Sequence, residues 1–312
     1  MISVLYACNA AYLRQTIISA ASVLMHNVNV HLYFALDGTT SKVQCEIENT
    51  LSRWSPKITF VKLEDLLSNV ELGKGDRHPR TIYAKLFMEQ VVEEDRILYL
   101  DSDVIVNGSL DELFGRNMEK EYVAGVMMPY SSKLKKEIAA VSGEPYICDG
   151  VVLFNMELWK EEQLTESCRS YIESCCGVPP MMSEGTLNHV CAGKIGVLSP
   201  EYNLMPSMIM YSLQQITALF KADCYYKKTG EMRQARNAPI IIHFMNELYN
   251  RPWQKPCDHP YKEIYYKIEK MVFGDNTIIN KPLSGHIRAT RMLKKYLPFS
   301  FFAKLYHAKN GL

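Results

Sequence analysis

The sequence predicts an α/β fold, and three observations lead there. Strand-length apolar runs alternate with helix-length amphipathic segments through the first hundred residues, the pattern of parallel strands joined by helices on both faces. Turn residues such as Asp37-Gly38 close the runs. The strand-like Ile97-Leu98-Tyr99-Leu100 ends on Asp101-Ser102-Asp103, and the C-terminal ends of strands near a topological switch point are where α/β sheets gather ligands.

In chain order, Ile2–Ala7 is the first run of strand length. Asn9 can cap a helix whose inner face holds Ile17, Ala20, Ala21 and Leu24 at helical spacing. Val28–Leu36 reads as a strand, Ser41–Trp54 as a helix, Lys57–Val61 as a β-rich segment and Thr81–Val92 as a helix. The polar stretch between Glu71 and Arg80 reads as a surface loop that can act as a lid. Arg96–Leu100 and the short Val104–Val106 follow as strands. The second half is less regular, with strand-like Val151–Phe154 and Ile240–Ile242 set among helices. After about Lys281 the character changes. Arg288, Arg291, Lys294, Lys295, Lys304 and Lys309 alternate with Leu293, Tyr296, Leu297, Phe299, Phe301, Phe302, Leu305 and Tyr306, the composition of an interfacial segment. Pro298 divides this tail into two short helical pieces. The expected organisation is a main domain over 1–280 and a basic amphipathic tail over 281–312, a candidate membrane-surface segment.

Composition excludes several function classes. With 35 Lys+Arg against 34 Asp+Glu, the net charge of +1 offers no basic surplus for nucleic acid, which is not an expected partner. No apolar run reaches the ~18–20 residues of a membrane span. The N-terminus lacks a basic segment ahead of its apolar start, so a cytoplasmic protein is expected, peripheral on the inner membrane face if the tail binds there. The nine cysteines are odd in number and contain no C-x-x-C pair, which points to reduced thiols.

Asp101 and Asp103, two positions apart at a strand end, can share a divalent ion, and hard oxygen ligands suit Mg²⁺ or Mn²⁺ with substrate phosphates completing the shell. His243 ends the strand-like Pro239–Ile242 run, where a histidine is usually packed in the core. As a third ligand it would favour Mn²⁺. G-x-x-x-x-G-K-[ST], G-x-G-x-x-G and G-x-S-x-G are all absent, so P-loop, nicotinamide-dinucleotide and α/β-hydrolase readings lack their signatures.

Taken together, several segments resemble family 8 glycosyltransferases, retaining sugar transferases related to bacterial lipopolysaccharide galactosyltransferases and glycogenin. The resemblance rests on Asn9-Ala10-Ala11-Tyr12, on Arg96 through Asp103 with Asn107-Gly108-Ser109-Leu110, and on Gly150 through Met156. Leu187-Asn188, Pro200-Glu201-Tyr202-Asn203, His243-Phe244 and Arg251-Pro252-Trp253 extend it in consistent order over about residues 2–265. It implies a nucleotide-diphospho-sugar transferase (GT-A-like) fold with a single Rossmann-like mixed sheet flanked by helices. It also implies Mn²⁺, with Mg²⁺ as substitute, on Asp101, Asp103 and His243. Tyr12 would stack on uracil, Asn9 would read the uracil edge, and Lys85 would lie near the donor diphosphate. Ala7 and Ser102 complete the implied nucleotide-binding set.

The chain departs from the family pattern around the donor sugar. Cys148-Asp149-Gly150 stands where relatives carry Asn-Ala-Gly or Asn-Ser-Gly, and Ser183-Glu184-Gly185 where they carry Asp-Gln-Asp. An aspartate expected near position 128 is Met128. Glu184, in the place of a glutamine, is the expected carboxylate at the anomeric carbon, and Asp149 is the second candidate catalytic residue. The expected activity is transfer of a hexose, glucose or galactose, from a UDP-sugar to a saccharide or lipid-linked saccharide in cell-surface polysaccharide synthesis, of lipopolysaccharide or capsule. The alternative is a sugar-nucleotide-binding protein with weak or lost turnover. A nucleotidyltransferase would instead carry a glycine- and lysine-rich loop where Ala7-Cys8-Asn9-Ala10-Ala11-Tyr12 stands.

Overall fold

The structure, a computed structural model, describes residues 1–312 except 39, 74–78, 139–140, 142, 223 and 311–312. The strands that position the site are β1 (Ile2–Asn9), β2 (Val30–Asp37), β3 (Lys57–Lys62), β4 (Arg96–Leu100), β5 (Val104–Val106), β6 (Val123–Met127), β7 (Ile147–Asn155), β8 (Ile195–Val197) and β9 (Ile241–His243). All but β5 and β9 join one seven-stranded sheet in the order β3-β2-β1-β4-β7-β6-β8. Strands β3, β2, β1 and β4 run parallel, while β7 lies antiparallel to both β4 and β6. The sheet is therefore mixed, as the resemblance implies.

Both faces of the sheet are covered, which explains why its strands read as unbroken apolar runs. Successive side chains point to opposite faces. Val4 and Tyr6 of β1, Leu98 and Leu100 of β4, and Val151 and Leu153 of β7 enter one buried layer. Their neighbours Leu5, Ile97, Tyr99, Val152 and Phe154 enter the other. The helix α1 (Leu13–His26) buries Ile17, Ala20, Ala21 and Leu24 on the first layer, and α2 (Ser41–Leu51) follows after a Thr40 cap.

Two elements differ from the sequence reading. Thr81–Val92 is not an α-helix but a pair of 3₁₀ turns, Arg80–Leu86 and Met88–Gln90. Tyr83, Ala84, Lys85, Leu86, Phe87 and Met88 are all buried in succession, whereas a surface α-helix turns every few residues toward solvent. The second strand starts at Val30 because Asn29 adopts φ 54° and ends the extended path, leaving Val28 88% exposed. The expected lid falls largely on residues 74–78, outside the described residues.

Later helices are α3 (Met182–Val190), α4 (Leu213–Phe220), α5 (Lys262–Phe273), α6 (Gly285–Tyr296) and α7 (Phe299–Asn310). The tail forms the two pieces that Pro298 dictates, and one side of it packs on the main body. Phe302 is buried and its ring stacks on Tyr211, Lys294 Nζ donates to the Met210 carbonyl, and Arg291 pairs with Asp258. Met292, Tyr296, Phe301 and Leu305 stay exposed. Among the described residues, no helix is long and apolar enough to cross a membrane.

Asn188 of α3 joins the two halves of the fold. Its amide donates to the Ile147 carbonyl at 2.9 Å and accepts from the Ile147 N–H at 2.7 Å, which ties down the start of β7. Asn188→Ala leaves both buried backbone groups unpartnered and should destabilise the protein by about 2–3 kcal/mol in denaturant unfolding. A loss under about 0.5 kcal/mol would show that water replaces the amide.

Candidate functional site

From β1 the chain builds outward through β2 and β3, then returns to place β4 on the other side of β1. The order reverses between β1 and β4, so a crevice opens at their C-terminal ends. Asn9 ends β1 there, and Asp101 directly follows β4.

Asp103 is carried into β5, which pairs antiparallel with β9 so that Val104 faces His243. This register, with Phe244 N–H donating to the Asp103 carbonyl at 2.8 Å, holds the imidazole against the carboxylate. His243 Nε2 lies 3.1 Å from Asp103 Oδ1 and 3.8 Å from Asp101 Oδ2. One ligand atom from each of Asp101, Asp103 and His243 falls within 4.8 Å of the others. His243 Nδ1 is 3.0 Å from Asn203 Oδ1, an orienting contact of the kind that sets the tautomer of a metal-ligating histidine. Asp101 Oδ1 accepts from the Tyr99 hydroxyl at 2.9 Å, and the Asp101 N–H donates to the Gly150 carbonyl. The residue at 150 must be glycine for these groups to meet. A Cβ there would lie 2.5 Å from His243 Cε1 and 2.6 Å from Asp101 Oδ2. Two carboxylates and an imidazole at this spacing fit a divalent cation.

The charges are unequally held. Burial works to raise the Asp103 carboxyl, but His243 and the Arg251 guanidinium outweigh it and hold Asp103 far below the usual carboxylate range. Arg251 donates from Nε at 2.9 Å and Nη2 at 2.7 Å to Asp103 Oδ2. Burial raises Asp101; Lys85 opposes the rise and Asp103 adds to it. Burial also opposes the His243 imidazolium, yet the facing Asp103 carboxylate holds its pKa well above the ordinary value.

A second cluster sits across Gly150. Lys85, which is buried, donates from Nζ to the Asp149 carbonyl at 2.9 Å and to Asp149 Oδ2 at 2.7 Å, and lies 4.0 Å above the Tyr99 ring. Ser183 also donates to Asp149 Oδ2. On the same helix, Glu184 Oε1 accepts from Tyr130 at 3.4 Å. Burial, with the Asp149 charge adding and Lys85 opposing, pushes the Glu184 carboxyl up to about 8.

The structure thus brings Asp101, Asp103 and His243 into one cluster and Lys85, Asp149 and Glu184 into a neighbouring one. Tyr12 is linked to the first through Arg251, whose Nη1 donates to the Tyr12 hydroxyl at 3.3 Å. The Thr16 hydroxyl lies 2.8 Å from both Ser102 Oγ and the Tyr12 carbonyl. Asn9 Oδ1 accepts from the Ala11 N–H, capping the 3₁₀ turn Ala10–Tyr12 that leads into α1. Ala7 is buried within β1, opposite Ala35 of β2. Arg251, Asn203 and Tyr130 were not expected at the site. Arg251 and Asn203 lie in segments that carry the resemblance, but nothing local marks them as partners of a carboxylate 148 residues away or an imidazole 40 away.

If the cluster closes on a divalent cation, Gly150→Ala should weaken the binding of such a cation (Mg²⁺ or Mn²⁺ as probe) at least tenfold in calorimetric titration while leaving the far-UV circular dichroism unchanged. Unaltered affinity would show that the cluster does not close on an ion.

A family model described as Glycosyl transferase family 8 matches residues 3–257. Lipopolysaccharide 1,2-glucosyltransferase of Escherichia coli (strain K12) is 26% identical over 280 residues, covering 86% of this chain and 77% of that protein. Glycosyltransferase GlyD of Streptococcus pneumoniae serotype 4 is 25% identical over 275 residues, covering 86% of this chain; the chain spans only 31% of GlyD. Among solved structures, the fold matches LgtC in an active-site glutamine-to-glutamate mutant, with TM-score 0.70, 20% identity and coverage of 86% of this chain and 96% of LgtC. By the family model, which spans the sheet and both clusters, the chain belongs to glycosyl transferase family 8.

Proposed function

We propose that this protein is a Mn²⁺-dependent, retaining hexosyltransferase that moves glucose or galactose from a UDP-sugar to a saccharide or lipid-linked saccharide of a cell-surface polysaccharide. The observation that carries the reading is the Asp101, Asp103 and His243 cluster, closed over Gly150 at the switch point of the sheet. A divalent ion held there supplies Lewis-acid neutralisation of the departing diphosphate. In this reading Tyr12, Asn9, Ala7 and Ser102 form the nucleotide-binding set; their support is the resemblance, the link of Tyr12 to the metal cluster through Arg251, and the place of Asn9 at the end of β1. Arg251 is a further phosphate-binding group. Its fork is now spent on one Asp103 oxygen, and a guanidinium released from that carboxylate matches a diphosphate equally well.

Glu184 and Asp149 take different roles in this proposal. Asp149 is held by Lys85 and Ser183, and burial, with the Asp149 charge adding, keeps the neighbouring Glu184 protonated at neutral pH. A neutral carboxyl offers a donor and an acceptor, as an amide does. Glu184 then hydrogen-bonds the donor sugar, and retention follows from attack on the face the phosphate leaves, with no covalent sugar–enzyme species.

The exposed side of the tail carries Met292, Tyr296, Phe301 and Leu305 among Arg288, Lys295 and Lys304, a combination that suits reversible attachment to an anionic membrane surface. Each basic residue contributes about 1 kcal/mol near such a leaflet.

Four outcomes test these readings. Asp101→Ala and Asp103→Ala should each reduce Mn²⁺-dependent UDP release, assayed across several UDP-sugars, by at least a hundredfold. Full turnover in either variant ends the metal assignment, and binding without turnover in the unmodified protein favours the non-catalytic alternative. Glu184→Gln should retain transfer within about tenfold, and a loss of several orders of magnitude would make Glu184 a nucleophile. The same variant carries a stability signature. Between pH 4.5 and about 8 the unfolded chain sheds the Glu184 proton while the folded chain keeps it, so stability falls as pH rises through that window. Glu184→Gln should flatten that slope in thermal melts. Finally, a chain ending at Pro282 should lose sedimentation with anionic vesicles while keeping UDP affinity; indifference of the full chain to such vesicles at low salt removes the membrane reading.

A further inference from the structure

The family match ends at residue 257, and α6 beyond it builds one wall of a groove of about 680 Å³. Arg288, Arg291, Met292 and Lys295 recur at helical spacing, so they form one stripe along α6, and all four line the groove. Lys294 joins them from the inward side of the helix, where its Nζ donates to the Met210 carbonyl at 2.9 Å. Met210 and Tyr249 supply the wall on the main body.

The cations outnumber their partners. Four of them line the groove, and no acidic residue does. Arg291 pairs with Asp258 and lies 5.4 Å over the Tyr249 ring. Arg288 and Lys295 are exposed and make no ion pair among the described residues. Burial lowers the Lys294 ammonium and the charge of Arg291 adds to the fall, a repulsion that a bound anion relieves. Helix stability does not account for the set. Lys294 and Lys295 suit the last turn of α6, but Arg288 stands in its first turn, where the dipole disfavours a cation.

The lining selects a chemical class. Guanidinium and ammonium groups together suit phosphate oxygens. Beside them the groove is apolar, with Leu283, Met292 and Tyr296, of which the last two stay exposed. A free phosphate uses only the cations. A phosphate on a hydrocarbon chain uses both halves, since each methylene taken out of water adds to the binding. Tyr249 ties the groove to the crevice. It stands two residues before Arg251, whose guanidinium holds Asp103, so their Cα atoms lie within about 8 Å of each other. Asn250 between them is anchored, donating to the Pro256 and Lys281 carbonyls, both at 2.8 Å. One short, fixed segment thus serves the groove through Tyr249 and the Asp103 cluster through Arg251.

We propose that this groove binds the phosphate or diphosphate of a lipid-linked acceptor, with Arg288 and Lys295 on the phosphate oxygens and Leu283, Met292 and Tyr296 against the lipid chain. The site is discrete and takes one molecule, unlike the diffuse attraction of a basic tail to an anionic membrane. The proposal rests on the glycosyltransferase reading, and its test separates the two. The full chain is titrated by calorimetry with geranyl diphosphate, and with geraniol and inorganic pyrophosphate as the chain and the phosphate alone. Metal-free buffer keeps Asp101 and Asp103 from holding a diphosphate through a cation, and UDP affinity with Mn²⁺ is measured separately. Geranyl diphosphate should bind one per chain, at least tenfold tighter than either part. Arg288→Glu with Lys295→Glu should weaken it at least tenfold and shift UDP affinity by less than twofold. Lys304→Glu with Lys309→Glu makes the same charge change on α7, outside the groove, and should shift geranyl diphosphate binding by less than twofold. Met292→Gln should weaken geranyl diphosphate at least threefold and leave pyrophosphate unaltered. Pyrophosphate bound as tightly as geranyl diphosphate makes the ligand a free phosphate and overturns the proposal. Equal losses in the two charge-reversed pairs, or capture by phosphatidylglycerol vesicles without binding of geranyl diphosphate, reduce the tail to a membrane-surface segment and also overturn it. Intact UDP binding with no geranyl diphosphate bound removes the groove assignment and leaves the transferase reading standing. Binding that depends on Arg288 and Lys295 in a protein that ignores UDP supports a lipid-phosphate site and removes the transferase reading.

Discussion

The pairing of β5 with β9, three residues against three, brings Asp103 and His243 together across 140 residues of sequence, and the chemistry at the crevice depends on that contact. A two-stranded ribbon this short has little stability of its own. It persists because Val104, Ile105 and Val106 on one side and Ile241 and Ile242 on the other are fully buried in the layer that α1 also covers. Packing of the core therefore sets the spacing of the carboxylate–imidazole cluster. Asn203 reinforces it from behind, through its contact with His243 Nδ1.

The same crowding imposes an electrostatic order. Asp101, Asp103 and Asp149 converge within a small volume, and burying unpaired carboxylates is costly. Each charge is met by a particular neighbour: Asp103 by His243 and Arg251, Asp149 by Lys85, and Asp101 by the Tyr99 hydroxyl. Glu184, buried next to Asp149, makes no ion pair among the described residues and keeps its proton, chiefly through burial and against the opposing charge of Lys85. The rewritten segments 148–150 and 183–185 thus form one mutually adjusted unit, since Ser183 and Lys85 both serve the aspartate that the Cys-Asp-Gly segment introduces.

Much of the fold was legible in the sequence because the central strands are buried on both faces and so appear as unbroken apolar runs. Asp101-Ser102-Asp103 was legible for the same reason, as polar residues directly after such a run. Lys85 was legible as a position, although its surroundings were not. The 3₁₀ turns that carry it mimic helical spacing, and only consecutive burial from Tyr83 to Met88 distinguishes them from a surface helix. The tail showed its break at Pro298 plainly, but not which of its aromatics would pack inward, because Phe302 and Phe301 are equivalent in composition and only the first meets Tyr211.

The sequence by itself determined the alternation of strands and helices, the carboxylate pair at a strand end and the glycine at 150, because these are local patterns or bear directly on backbone geometry. Only the tertiary structure decided that Arg251 shares Asp103 with His243, that Asp149 is neutralised by Lys85, and that α6 lies against Met210 and Tyr249. Those contacts join residues far apart in the chain, and their strength comes from burial and low dielectric. Neither quantity belongs to a residue until the layers have closed around it.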